Sequence, residues 1–171
     1  MIGQQQKDQA EKWFKDLRDK ICKEFEILEE DHLKLAPKSD VAAKKFERKS
    51  TIRETDDKED GGGGVMATLK DGRIFEKVGV NVSAVYGKLA PEAQKSITAR
   101  KAIPELKDDP RFWASGISLV AHMRNPHTPA IHLNTRMFWT PHAWWFGGGT
   151  DLNPSIENDD DTNFFHQTLK K

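Results

Sequence analysis

Residues 114–139 read ASGISLVAHMRNPHTPAIHLNTRMFW. Two runs rich in apolar and β-branched residues, 114–123 and 130–139, flank the polar, proline-bearing link RNPHTP. The side-chain period of a strand is two, so each run divides into faces. Ser118 and His122 share one face of the first run, and Leu119, Ala121 and Met123 share the other. In the second run His132, Asn134 and Arg136 oppose Ile131, Leu133, Thr135 and Met137. An antiparallel pairing centred on His127 would set His122 opposite His132 and Ser118 opposite Arg136. One polar sheet face would then carry Ser118, His122, His132, Asn134 and Arg136, backed by an apolar face.

The flanking sequence extends this sheet. In GGGGVMATLKDGRIFEKVGVNVSAVYG, residues 61–87, Val78, Val80, Val82, Ala84 and Tyr86 alternate as in a strand with one buried face. Asp71-Gly72 between strand-like runs suits a type I′ hairpin turn. Residues 90–101 fit a short surface helix with Pro91 in its first turn. Near the amino terminus, Phe14, Leu17, Ile21, Phe25 and Leu28 recur at spacings of three and four, which predicts an amphipathic helix over 7–30 packed through those five residues. Residues 36–60 are almost wholly polar and read as an irregular, mobile segment. No long helices alternate with the strands, so the expected class is α+β, an antiparallel sheet flanked by helices in a single domain spanning 1–171. The final FFHQTLKK stops in mid-helix, which reads as a fragment.

Bulk composition narrows the function. The 171 residues contain 27 Lys+Arg and 27 Asp+Glu, giving zero net charge and no global basic field for nucleic acid. No apolar run is long enough to span a membrane, and MIGQQQKDQAEKWFKD lacks the apolar core of a signal peptide. The single cysteine, Cys22, lies on the helical apolar face and reads as a small buried hydrophobe, consistent with a reducing cytoplasm.

The polar strand face admits three readings. Imidazoles of His122 and His132, with His142 or His166, could share a metal, although no carboxylate or cysteine of diagnostic spacing accompanies them. A solvated face of no chemical interest is ordinary in antiparallel sheets. An acid–base and anion site gains from Arg136, whose planar guanidinium grips carboxylates, and from histidines that exchange protons near neutral pH. GGGG at 61–64 is no phosphate loop, since no Gly-Lys-Ser/Thr follows, and reads as a flexible entry into a strand. WWFGGGTDLNP, residues 144–154, permits a sharp turn and close approach to a flat ligand before delivering Asp151, which an Asx turn could equally explain.

Taken together, GGGG, GRIFEKVGVNVSAVYG, FWASGISLVAHMRNPHTPAIHLNTR and WWFGGGTDLNP resemble oxygen-dependent coproporphyrinogen III oxidases, and the amino-terminal part is especially similar to alphaproteobacterial versions. The resemblance covers most of residues 61–169, with a looser match at the helix over 10–28. It implies oxidative decarboxylation of two propionates of coproporphyrinogen III to vinyl groups, giving protoporphyrinogen IX in haem biosynthesis. O2 would be co-substrate, with no haem, flavin or nicotinamide. It also implies a homodimer built on a broad sheet sandwiched by helices. By matching position, Ser118 and Asn134, Thr135 and Arg136 would bind substrate, His132 would donate a proton, and Asp151 would engage the pyrrole N–H groups. His122, His132 and His166 match histidines described as metal ligands in bacterial members. Trp144, Trp145 and Phe146 would help wall a dry pocket for oxygen. The chain departs from the family at Asn153, where threonine is usual, and at Ser155, where an aromatic often stands. Its length corresponds to the amino-terminal part of a longer domain, so the alternative is a remnant that binds tetrapyrrole or a partner without turnover.

Overall fold

The computed structural model describes residues 3–36, 40–55 and 57–170. Helix α1 (Gln4–Leu35) precedes strands β1 (Glu47–Glu54), β2 (Asp60–Lys70) and β3 (Phe75–Lys88); helix α2 (Pro91–Lys101) and a 3-10 turn (Pro104–Lys107) lead to β4 (Arg111–Met123), β5 (Ala130–Trp139) and β6 (Trp144–Asn153), with helix α3 (Asp159–Leu169) after them. Spatial order equals chain order across the six strands, and every neighbouring pair is antiparallel. The α+β reading, with an antiparallel sheet and an amino-terminal helix, is the observed architecture.

Alternation decides which face is buried. Val78, Val80 and Val82 of β3, Ile117, Leu119 and Ala121 of β4, Leu69 of β2 and Met137 of β5 turn to one side and are buried there against Phe14 and Cys22 of α1. Each such aliphatic or aromatic side chain contributes about 1.5–3 kcal/mol before chain entropy is charged against it. Burial also pushes the Cys22 thiol up to about 11, so it stays a neutral hydrophobe, as its helical position suggested.

The α1 stripe is rotated from the expected one. Phe14 is fully buried and Leu17, Ile21 and Phe25 are half-buried, but Leu28 is 47% exposed and Glu29 is 0% exposed. The cause is a polar requirement of the next layer. The Glu29 carboxylate accepts the backbone N–H groups of Arg73 (2.7 Å), Ile74 (2.8 Å) and Phe75 (3.0 Å). Leu28→Gln should therefore change stability by less than about 0.5 kcal/mol, as at an ordinary surface site. Urea unfolding checks this, and a loss above about 1 kcal/mol would return Leu28 to the core.

The β2–β3 hairpin forms, but not through an Asp-Gly type I′ turn. Such a turn needs positive φ at both central residues, and only Asp71 has it, at 53°. Instead Gly72 N–H donates to the Phe75 carbonyl at 2.9 Å, the Gly72 carbonyl accepts from Arg124 Nε, and Glu29 takes the N–H groups of 73–75. Glu29 of the helix and Arg124, just past β4, thus brace a turn that its own backbone hydrogen bonds close.

The segment 36–60 is not irregular throughout. Glu47–Glu54 is an edge strand whose eight residues are all exposed, paired with β2 from Glu47↔Thr68 to Ile52↔Gly63. Its order comes from backbone pairing, which leaves no hydrophobic trace in the sequence. Residues 37–39 and 56 of that segment lie outside the described residues. The glycines at 61–64 are likewise strand, inside β2, rather than a flexible lead-in.

Candidate functional site

The sheet face turned away from α1 follows from the same alternation. Strands β4 and β5 pair as Gly116↔Arg136, Ser118↔Asn134 and Val120↔His132. This register is slipped by two residues from the one centred on His127. A slip of two keeps every side chain on its face, whereas a slip of one would have inverted the strand. Ser118, His122, His132, Asn134 and Arg136 therefore do share one face, but His132 stands opposite Val120, with His122 diagonal to it. Thr135 does not join them. It pairs with buried Ile117 on the α1 side, so its side chain points away from the face its neighbours occupy.

Strand β6 completes the surface. Arg136↔Gly147, Asn134↔Gly149 and His132↔Asp151 are cross-strand partners. Three rows result: Gly116, Arg136 and Gly147; then Ser118, Asn134 and Gly149; then Val120, His132 and Asp151. Asn81 and Gly79 of β3 extend the last two rows. The triple glycine makes no turn, since β6 runs straight through it, and Asp151 lies in the strand rather than in an Asx turn. What the glycines do is leave the backbone bare: a Cβ at Gly79, Gly147 or Gly149 would meet nothing within 4 Å. A strip of floor stripped of side chains admits a flat molecule against the peptide plane.

An imidazole–carboxylate pair stands at one end of this floor. His132 Nδ1 lies 3.0 Å from Asp151 Oδ2, and Asn153 Nδ2 donates to Asp151 Oδ1. Thr150 Oγ1 donates to the His132 carbonyl at 2.8 Å, fixing the strand beside the ring. With Nδ1 carrying the hydrogen toward the carboxylate, Nε2 is left to accept or, once protonated, to donate. Both side chains are accessible, His132 at 36% and Asp151 at 51%. Sequence reasoning missed Asn153 as a partner, although its position two residues beyond Asp151 on one strand puts it on the same face.

The other end is aromatic. Phe112, Phe138 and Trp145 stack in a row, with ring centroids 5.6 and 4.9 Å apart. Of the three aromatics expected to wall a pocket, only Trp145 is on this face. Trp144 and Phe146 fall on the opposite one and are exposed.

The histidines do not converge. His166 on α3 and Asp151 line a common cleft of about 240 Å³, bounded also by Asn158 and Phe165. His122 lies in another strand, and His142 sits in the β5–β6 turn. Among the described residues no three His, Cys, Asp or Glu side chains are grouped to hold a metal ion. The donor set of the described residues thus does not fit the metal expectation. A larger cleft of about 710 Å³, lined by Lys7, Arg111, Trp113 and Trp139, contains none of the expected site residues.

A family model described as coproporphyrinogen III oxidase matches residues 9–171. The oxygen-dependent coproporphyrinogen-III oxidase of Rickettsia felis is 44% identical over 165 residues, covering 96% of this chain and 53% of that protein. Its namesake in Rickettsia rickettsii (strain Sheila Smith) is 44% identical with the same coverage. That of Rickettsia bellii is 40% identical over 170 residues, covering 99% of this chain and 55% of its own length. The chain spans about half the length of the curated relatives it matches.

Proposed function

The chain belongs to the coproporphyrinogen III oxidase family, and from that premise we propose that it carries the catalytic floor for oxidative decarboxylation of coproporphyrinogen III to protoporphyrinogen IX. Each of two propionates loses CO2 and becomes a vinyl group, passing two electrons and two protons to O2, the co-substrate. The single observation that carries the reading is the His132–Asp151 pair at the end of a glycine-bare floor that also presents Arg136.

The substrate combines a broad ring with four carboxylates. Bare backbone at Gly147 and Gly149 receives the ring. Arg136 meets a propionate, because a desolvated carboxylate requires a charge-assisted partner. Ser118 and Asn134, side by side in the next row, supply neutral hydrogen bonds. Asp151 accepts the pyrrole N–H groups and stabilises the positive charge that builds as electrons leave, while His132 moves the proton. Thr135 contributes through its backbone alone. The protein is proposed to act as a homodimer in the cytoplasm; no helix among the described residues is long and apolar enough to cross a membrane.

The test is protoporphyrin fluorescence after incubation with coproporphyrinogen III under air. Turnover by this chain supports the proposal. Tight binding without turnover would favour the alternative of a tetrapyrrole-binding remnant, and neither would overturn both. A variant probes the floor separately. Gly149→Val places a β-branched side chain in empty space within a strand, so folding should be unharmed. Binding of coproporphyrin should nevertheless fall at least about tenfold, because the branched methyls lift the ring off the backbone over a wide contact area. Unchanged affinity in a titration would remove the ring from this part of the sheet.

A further inference from the structure

Arg136 is a single cation, while the proposed substrate brings four carboxylates. The aromatic end of the floor offers a second cation. Lys101 closes α2, and its Nζ lies 5.3 Å from the centroid of the Trp145 ring, on the site face. Trp145 precedes bare Gly147 by two residues, about 6.8 Å along a strand, and Gly147 is the cross-strand partner of Arg136. Lys101 and Arg136 therefore bracket one patch of uncovered backbone from two sides.

The lysine is seated, not trailing. The next residue, Ala102, adopts a left-handed φ of 53° and donates its N–H to the Thr98 carbonyl at 2.9 Å. Thr98 Oγ1 donates to the Ile103 carbonyl at 3.0 Å, and Ile103 and Leu106 are buried. The corner that follows α2 is thus fixed, and the Lys101 stem is directed onto the indole. Among the described residues neither Lys101 nor Arg136 forms an ion pair with a carboxylate. Two uncompensated cations flanking bare backbone repel one another unless an anion lies between them.

We propose that Lys101 is a substrate-binding residue, holding a propionate carboxylate at the aromatic end of the floor while Arg136 holds the same or the adjacent one. This rests on the tetrapyrrole reading of the floor given above. It assigns the aromatic row a job as well: Phe138 and Trp145 form the wall against which that edge of the ring sits, with the ammonium above Trp145 aimed at the ring's periphery.

The experiment titrates the chain with coproporphyrin III and with its tetramethyl ester, following porphyrin fluorescence. Wild-type protein should bind the acid and discriminate against the ester. Lys101→Gln should weaken acid binding about tenfold, the scale of one partly exposed charge-assisted contact, and shrink the acid-to-ester preference by the same factor. Lys101→Arg should stay within about threefold of wild type, which a loss of folding would not permit. Lys107→Gln, on the exposed 3-10 turn, serves as the charge control and should change nothing. If Lys101→Gln binds the acid like wild type, the lysine assignment is overturned while the floor stands. If wild type binds neither porphyrin, both the floor reading and the lysine assignment fall.

Discussion

On the proposed reading, Asp151→Asn in a full-length version of the enzyme should lower turnover of coproporphyrinogen about 10²–10⁴-fold, the usual scale of general acid–base assistance, while leaving the sheet intact. The carboxylate has a donor on each oxygen: His132 Nδ1 at 3.0 Å from Oδ2 and Asn153 Nδ2 on Oδ1. An asparagine amide has one oxygen and one NH2 group. If the oxygen keeps Asn153, the NH2 faces His132, and the imidazole must move its hydrogen from Nδ1 to Nε2 to accept it. The substrate-facing nitrogen then has the wrong proton state. If the amide flips, two NH2 groups oppose each other and Asn153 swings away. Either way the negative charge that should oppose the growing charge on the pyrrole is lost. His122→Gln should cost far less, since His122 stands one row beyond the pair, diagonal to His132. The measurement is single-turnover rate in both variants, with coproporphyrin affinity determined separately. Normal turnover in Asp151→Asn beside a dead His122→Gln would transfer the chemistry to the histidines.

The period of two in residues 114–139 sufficed to put Ser118, His122, His132, Asn134 and Arg136 on one face and to exclude Thr135 from it. Register was beyond it. The β4–β5 link is long enough to permit several pairings, and only parity survives such ambiguity. The glycines of β6 suggest a turn because glycine's freedom is what marks turns in most sequences. Here they are extended, held in line by seven flanking residues paired on β5, and what they contribute is the absence of a side chain. Strand β1 was invisible for the converse reason: it buries nothing, so hydrophobic alternation had nothing to report. Lys101 carries no sequence signal at all, since its role depends on where α2 ends relative to β6. The motifs shared with the family reach further than periodicity, naming Asp151 as well as His132, yet they too leave the α2 corner unassigned.

Glu29 shows the same limit from the stability side, and it supplies the second large effect. Helical periodicity singles out Leu28 beside it and gives no sign of Glu29. In the fold it is 0% exposed and accepts N–H groups from Arg73, Ile74 and Phe75 at 2.7–3.0 Å, with Lys44 N–H at 3.4 Å. Glu29→Leu removes the acceptor for three N–H groups that the turn's own backbone bonds, Asp71 N–H to the Glu76 carbonyl and Gly72 N–H to the Phe75 carbonyl, leave unsatisfied. Phe75, 3% exposed, cannot turn its N–H to water. Each stranded buried donor costs about 1–3 kcal/mol, so a loss of about 3–5 kcal/mol is expected, a large share of the roughly 5–15 kcal/mol that holds a typical domain. The cost has a partner at Gly72, where a Cβ would come within 2.5 Å of Glu29 Oε1. Gly72→Ala alone should therefore be destabilising, and in a Glu29→Ala background most of that penalty should vanish, because the carboxylate it collides with is gone. The four proteins form a double-mutant cycle read by urea unfolding, with amide exchange at residues 73–75 reporting the turn directly. Additive losses, or a Glu29→Leu variant as stable as wild type with those amides still protected, would mean that the hairpin closes without the helix.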